Sequence, residues 1–193
     1  MTGREEIRVG EKIKQVREDQ AISLEDMAKR TGISASVLSQ MENHLISPPL
    51  GTLIKIARAL NVKVGDFLRE NPEDPFCLVR VADRKKVSRF ASKDGVNYGY
   101  SYESLGYDKK DRHMEPFVVT LTPATLGQPE PSKHAGEEFI YVLEGQVEII
   151  LADHTDILNP HDSIYYDATI PHRVACHNCD QAKIVAVIWA PEG

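Results

Sequence analysis

The chain of 193 residues is poor in cysteine, aromatic residues and long apolar runs, holding three Cys, one Trp and five Phe. Cys77, Cys176 and Cys179 cannot make a disulfide framework, so its stability has to come from apolar cores. No apolar stretch approaches the roughly 18 residues of a membrane span. The N-terminal MTGREEIRVGEKIK also lacks the apolar core of a secretory signal. A cytoplasmic protein without membrane contact is therefore expected. No repeat of about 20–50 residues is visible, which excludes solenoids and propellers. An excess of positive charge is missing too, the formal net charge being −6.

That acidity is unevenly placed. Residues 1–70 hold eleven Lys+Arg against ten Asp+Glu, whereas residues 71–193 hold twelve against nineteen. Apolar residues recur at helical spacing from Ile7 to Leu68 and alternate as in strands from about Phe117. Between them ENPEDP (70–75), with two prolines, reads as a linker. The pattern predicts an α + β protein of two domains, with helices over 1–70, a linker over 71–77 and an antiparallel β-barrel over 78–193.

Val9, Ile13 and Val16 give the buried face of a first helix. Ser23, with Asp26 three residues on, caps a second that carries Leu24, Met27 and Ala28 and ends at Gly32. Ser34 caps a third, with Val37, Leu38 and Met41 inward. Leu53, Ile54, Ala57 and Leu60 mark a fourth, and Val64, Phe67 and Leu68 a short fifth, making a five-helix bundle. The third helix presents small polar side chains, as insertion into a major groove requires. Ser34, Ala35, Ser36 and Gln40 occupy that outward face; Gln40 can bond N6 and N7 of an adenine, and Ala35 can touch a thymine methyl.

The run LEDMAKRTGISASVLSQMEN followed by LGTLIKIARALNV resembles the Cro and phage-repressor helix-turn-helix of xenobiotic-response-element-type regulators, over about residues 7–69. The resemblance places Ala35, Ser36 and Gln40 at base-reading positions and Asn43 near a phosphate-contacting one. It implies double-stranded DNA as partner. His44 stands where that family has a glycine with positive φ, and Pro49 replaces its polar helix cap. Because a domain of nearly neutral charge binds DNA weakly alone, a homodimer or higher homo-oligomer is expected. The alternative is a helical domain that has lost DNA binding.

Further on, FIYVLEGQVEIIL (139–151) reads as a strand, a glycine turn at Gly145 and a second strand. His134 and Glu138 lie four residues apart, and His172 follows a proline at the start of a later strand. Two imidazoles and one carboxylate make a facial triad suited to Fe(II), with Mn, Ni or Zn as alternatives. Alternation through Glu138, Ile140 and Val142 points the carboxylate inward. Tyr98, Tyr100 and Tyr102 alternate on an upstream strand, Tyr100 and Tyr102 being candidates to line a ligand pocket with Ser132.

The segment from about Phe117 to Ala190 resembles the cupin superfamily, whose first motif ends in H-x3-E-x6-G; His134, Glu138 and Gly145 match it, and His172 matches the ligand of the second motif. Ser132 stands where that motif normally begins with a further histidine, which leaves a three-ligand or a vacant site. Without metal, the same imidazoles would bind an organic anion directly. Cys176 and Cys179 form a C-x-x-C, a pattern open to redox chemistry or zinc binding; it has no second pair to complete a four-thiolate site, and the favoured reading is a polar turn over Asn178 to Gln181 between two strands with both thiols reduced.

Together these readings lead to a sequence-specific DNA-binding transcriptional regulator whose cupin domain senses a small-molecule or metal effector. The alternative is a mononuclear non-haem iron oxidoreductase, since HAGEEFIYVLEG and the layout also resemble the hydroxypropylphosphonate epoxidases. The lysine that those enzymes send into the site aligns with Ala21 here.

Overall fold

A computed structural model describes residues 8–46, 48–68, 76–89, 99–109, 111–127 and 131–191. The expected linker over 71–77 lies outside the described residues except for Phe76 and Cys77, which are in no regular element, and Tyr98 also lies outside them.

Four helices form the first part: α1 (Val9–Asp19), α2 (Leu24–Thr31), α3 (Ala35–Glu42) and α4 (Leu50–Ala59). Their ends follow from local chemistry. The Ser23 hydroxyl accepts the Asp26 N–H at 3.0 Å, and that of Ser34 accepts the Val37 N–H at 3.3 Å, each satisfying a donor that helix geometry leaves orphaned. Gly32 ends α2 in the left-handed region, φ 72°, which a side chain would penalise. His44 takes up φ 56° after α3, the conformation its resemblance position calls for. The buried stripe of Val9, Ile13, Met27, Leu38, Met41, Leu53 and Ile56 is the core. Within it, Arg17 on α1 clamps Glu42 on α3 through two hydrogen bonds, Nε to Oε1 at 2.6 Å and Nη2 to Oε2 at 2.8 Å.

The bundle has four α-helices among the described residues, not five. Where a fifth helix is expected, Val64–Phe67 forms a single 3-10 turn. The short apolar run there contains Gly65 and supplies too few residues for α-helical nucleation.

Among the described residues nine strands follow, all pairing antiparallel: β1 (Lys85–Arg89), β2 (Tyr100–Ser104), β3 (Met114–Leu121), β4 (Glu137–Glu144), β5 (Gln146–Leu151), β6 (His154–Leu158), β7 (Ser163–Asp167), β8 (His172–His177) and β9 (Ala182–Trp189). They form a six-stranded sheet, β1-β2-β3-β9-β4-β7, and a three-stranded sheet, β6-β5-β8. The expected closed barrel is not formed by the described residues. The turn at Gly145 carries the chain from one sheet to the other, because β4 pairs with β9 and β7 while β5 pairs with β6 and β8. Side chains alternate, so Phe117, Val119, Leu121, Ile140, Val142, Ile184, Ala186 and Ile188 from one sheet and Val147 and Ile149 from the other are buried.

The two parts meet along α4 and the 3-10 turn. Gly51, in the first turn of α4, lies so close to the sheets that a Cβ there would collide with Ser132 Oγ and come within 3.5 Å of His134 Cδ2. A second junction lies under Gly65, where an added Cβ would come to 2.7 Å from both the buried Glu115 carboxylate and the Arg112 guanidinium; Arg112 Nε donates to that carboxylate at 2.8 Å.

Candidate functional site

On α3 the sequence-selected residues fall on one side. Ser36, Gln40 and Asn43 recur at intervals of four and three, which stacks them along one helix face; Ser36 and Asn43 are exposed and Gln40 half-buried. Ala35 is half-buried at the first turn, and Ser34 is exposed with its hydroxyl engaged as the cap. Asn43 donates its amide to the Ser39 carbonyl at 2.8 Å, which fixes the orientation of its side chain.

In the β domain His134, Glu138 and His172 converge, and their ligand-type atoms all lie within 4.8 Å of one another. Each is held by a different device. Glu138 is the second residue of β4 and points inward by alternation; His134 is placed by its N–H on the Ala168 carbonyl. His172 opens β8 and is clamped through both backbone groups to Ser132, at 2.7 and 2.9 Å. The three side chains are almost fully buried.

Their hydrogen bonds define what they can hold. His134 Nδ1 lies 3.2 Å from the Ala135 carbonyl and His172 Nδ1 2.8 Å from the Ile170 carbonyl. A carbonyl only accepts, so each Nδ1 carries a proton, and each Nε2 offers a lone pair wherever that nitrogen is itself unprotonated. Those lone pairs face Glu138 Oε1, at 2.8 Å from His134 and 3.8 Å from His172. Three acceptors pointed at one another require a positive centre, either a proton or a cation. Burial pushes the Glu138 carboxyl up, but the bond to His134, the charge of His172 and the Tyr166 hydroxyl outweigh it, leaving its pKa below the ordinary value. Burial pushes His172 down, against the opposing pull of Glu138, which favours the neutral, ligating ring. The donor set fits a divalent cation.

A cavity of about 90 Å³ opens beside the triad, bounded by Tyr100, Tyr102, Ser132, Arg173 and the α4 residues Leu50 and Gly51. Tyr100 and Tyr102 stack with their ring centroids 6.1 Å apart. The Tyr100 hydroxyl donates to the Val174 carbonyl at 2.7 Å, and Tyr102 lines the cavity beside Leu50 at the start of α4.

Comparison with known proteins agrees with this layout. Residues 13–67 match the helix-turn-helix family model and residues 117–188 the cupin domain model. The HTH-type transcriptional regulator SinR of Bacillus licheniformis is 30% identical over 55% of this chain and 97% of its own. This chain belongs to the helix-turn-helix transcriptional regulators.

The similarity runs most of the length of a second such protein, since the HTH-type transcriptional regulator PuuR of Escherichia coli is 23% identical over 92% of each chain. A solved HTH_3 family transcriptional regulator from Vibrio cholerae shares the regulator's fold, with TM-score 0.66 at 22% identity over 96% of each chain. The (S)-2-hydroxypropylphosphonic acid epoxidase of Streptomyces wedmorensis is 28% identical over 72% of this chain and 73% of its own. A solved FeII HppE shares the fold as well, with TM-score 0.51 at 24% identity over 95% and 98% of the two chains.

Sequence reasoning missed three residues of this regulator's site. Tyr166 on β7 donates to Glu138 Oε2 and pairs with Glu138 in register, and no single sequence discloses which strand lies beside β4. Leu50 and Gly51 reach the site from the helical part. The signal for them was Pro49, which leaves α4 with no side-chain cap of its own.

Proposed function

We propose that this regulator, with residues 1–70 as its reading domain and 78–193 as its sensing domain, binds DNA through Ser34, Ala35, Ser36, Gln40 and Asn43 and adjusts that binding to what occupies the cupin cavity. The observation that carries this is α4. It follows the recognition helix in the chain, and its first turn lines the cavity with Tyr102 and is seated on Ser132 and His134. An occupant that binds one seating of α4 more tightly than another shifts the domain arrangement by that difference in affinity.

His134, Glu138 and His172 would hold a divalent cation, with Fe, Mn, Ni and Zn as candidates. When bound, it would offset the Glu138 charge and offer open positions to an oxygen ligand. Ser132 contributes its small side chain and the backbone clamp on His172, leaving room for a small effector beside Tyr100 and Tyr102. A homodimer would set two recognition helices about one helical turn of DNA apart.

The enzyme alternative draws on the triad and the epoxidase similarity. Against it stands Ala21, exposed on the turn after α1 and outside the cavity lining, where the resemblance asks for a cation.

The test is selection from random DNA by the metal-loaded full chain, followed by binding of the enriched site. Gln40→Ala should weaken binding by about 1–3 kcal/mol and relax preference at one base pair. Enrichment of no sequence would overturn the DNA-reading role, and equal affinity with and without chelator would overturn the metal-sensing one.

A further inference from the structure

The C-x-x-C reads from sequence as a plain turn, yet the two thiols face each other. Cys176, the fifth residue of β8, is 1% exposed and paired with Val147. Asn178, at φ 47°, turns the chain back and brings Cys179 Sγ to 2.9 Å from Cys176 Sγ. A covalent S–S bond measures about 2.05 Å, so closure asks for less than about 1 Å of approach. Each sulfur is also held locally, Cys176 Sγ by the Cys179 carbonyl at 3.1 Å and Cys179 Sγ by the Gln146 carbonyl at 3.6 Å.

We infer that Cys176 and Cys179 form a dithiol–disulfide site that exchanges with a low-molecular-weight disulfide of the glutathione type. Their unequal exposure assigns the roles. Cys179 is half-buried and reachable, whereas Cys176 sits behind it, its thiol pushed up to about 12 by burial and by the neighbouring sulfur. The Cys179 thiolate attacks one sulfur of the reagent, forming a mixed disulfide and releasing one thiolate. Cys176 then attacks Cys179 Sγ and releases the second, and its proton passes to that leaving thiolate. The pair gives up two electrons while the reagent disulfide is reduced to two thiols.

This site is separate from the triad. His172 lies four residues before Cys176, on the order of 13 Å along an extended strand. Among the described residues, the cluster of metal-ligand size consists of His134, Glu138 and His172 and takes in neither thiol. The turn that would be tightened by oxidation follows directly on β8, whose Val174 carbonyl holds Tyr100.

The experiment equilibrates the full chain, in a Cys77→Ser background, with glutathione buffers of graded potential, then alkylates free thiols and maps the products by mass spectrometry. The expected result is an intrachain Cys176–Cys179 disulfide formed without variants beyond that background. Cys176→Ser should accumulate a glutathione adduct at Cys179, and Cys179→Ser should acquire an adduct at least about tenfold more slowly. Two alkylatable thiols persisting through the most oxidising buffer would overturn the site. So would protection of both thiols that a chelator removes, and equal adduct rates in the two serine variants would overturn the assigned order.

Discussion

Tyr102 on β2 stands beside Leu50, the first residue of α4, where both line the cavity, so that a strand of the β sheets faces the start of a helix. Pro49 has no polar side chain and leaves α4 without a side-chain cap, so the Tyr102 hydroxyl is a polar group set beside an uncapped helix end. Tyr102→Phe removes a buried hydroxyl beside that helix end and should cost about 0.5–1.5 kcal/mol in urea unfolding. Pro49→Ser in the same background returns a local cap and should recover part of the loss. An unchanged unfolding midpoint in Tyr102→Phe would show that α4 does not depend on the β domain.

The Arg17–Glu42 pair makes a different prediction inside the bundle. Both side chains are at least nine-tenths buried, so the removal of one leaves an uncompensated charge. Glu42→Ala should destabilise the chain by about 3–5 kcal/mol. The double change Arg17→Met with Glu42→Leu should cost less than that single one, since apolar packing replaces the pair. Equal losses in calorimetric unfolding would mean that the guanidinium is held well enough by the partners it keeps, the Glu18 carboxylate at 3.4 Å and the Ile22 carbonyl at 2.8 Å.

Much of this architecture was legible because its signals are local. Ser23, Ser34 and Gly32 mark helix ends through their own chemistry, and Glu138, Ile140 and Val142 reveal an inward face by alternation alone. The triad was legible because His134 and Glu138 are close in sequence and His172 follows a proline. What could not be read are relationships set by sheet order. The crossing at Gly145 looks like a hairpin until β9 and β7 are seen to flank β4. Tyr166 beside Glu138, and Gly51 against Ser132, depend on contacts across 28 and 81 positions of chain, respectively, for which periodicity carries no information. The expected fifth helix failed for a local reason, since Gly65 sits in a run too short to propagate.

Glu115 should give the junction under Gly65 a pH dependence. Burial pushes its carboxyl up to about 7, against the opposing pull of Arg112. A group whose folded pKa is raised binds its proton more tightly in the folded chain, so its contribution is complete below the ordinary value and is lost as pH rises through about 7. The loss between pH of about 4.5 and 7.5 is on the order of 3 kcal/mol. Glu115→Gln has no proton to lose there. The difference in unfolding free energy between wild type and this variant should therefore shift against the wild type as pH rises. A constant difference would place the titration of Glu115 outside this window.

The triad as a cation site makes the last prediction, through Tyr166 rather than a ligand. Its hydroxyl holds Glu138 Oε2 and leaves Oε1 facing both imidazoles. Tyr166→Phe keeps the ring and all three ligands but frees the carboxylate to rotate. Partners of this kind typically affect affinity by about 10–100-fold, so calorimetric titration with Mn(II) or Zn(II) should show a loss of that size. His134→Ala should abolish the same binding, because two ligands no longer enclose the ion. If Tyr166→Phe binds as tightly as wild type while His134→Ala does not, the two imidazoles hold the ion without a fixed carboxylate. If neither change matters, the metal binds elsewhere and the convergence of His134, Glu138 and His172 serves to share a proton.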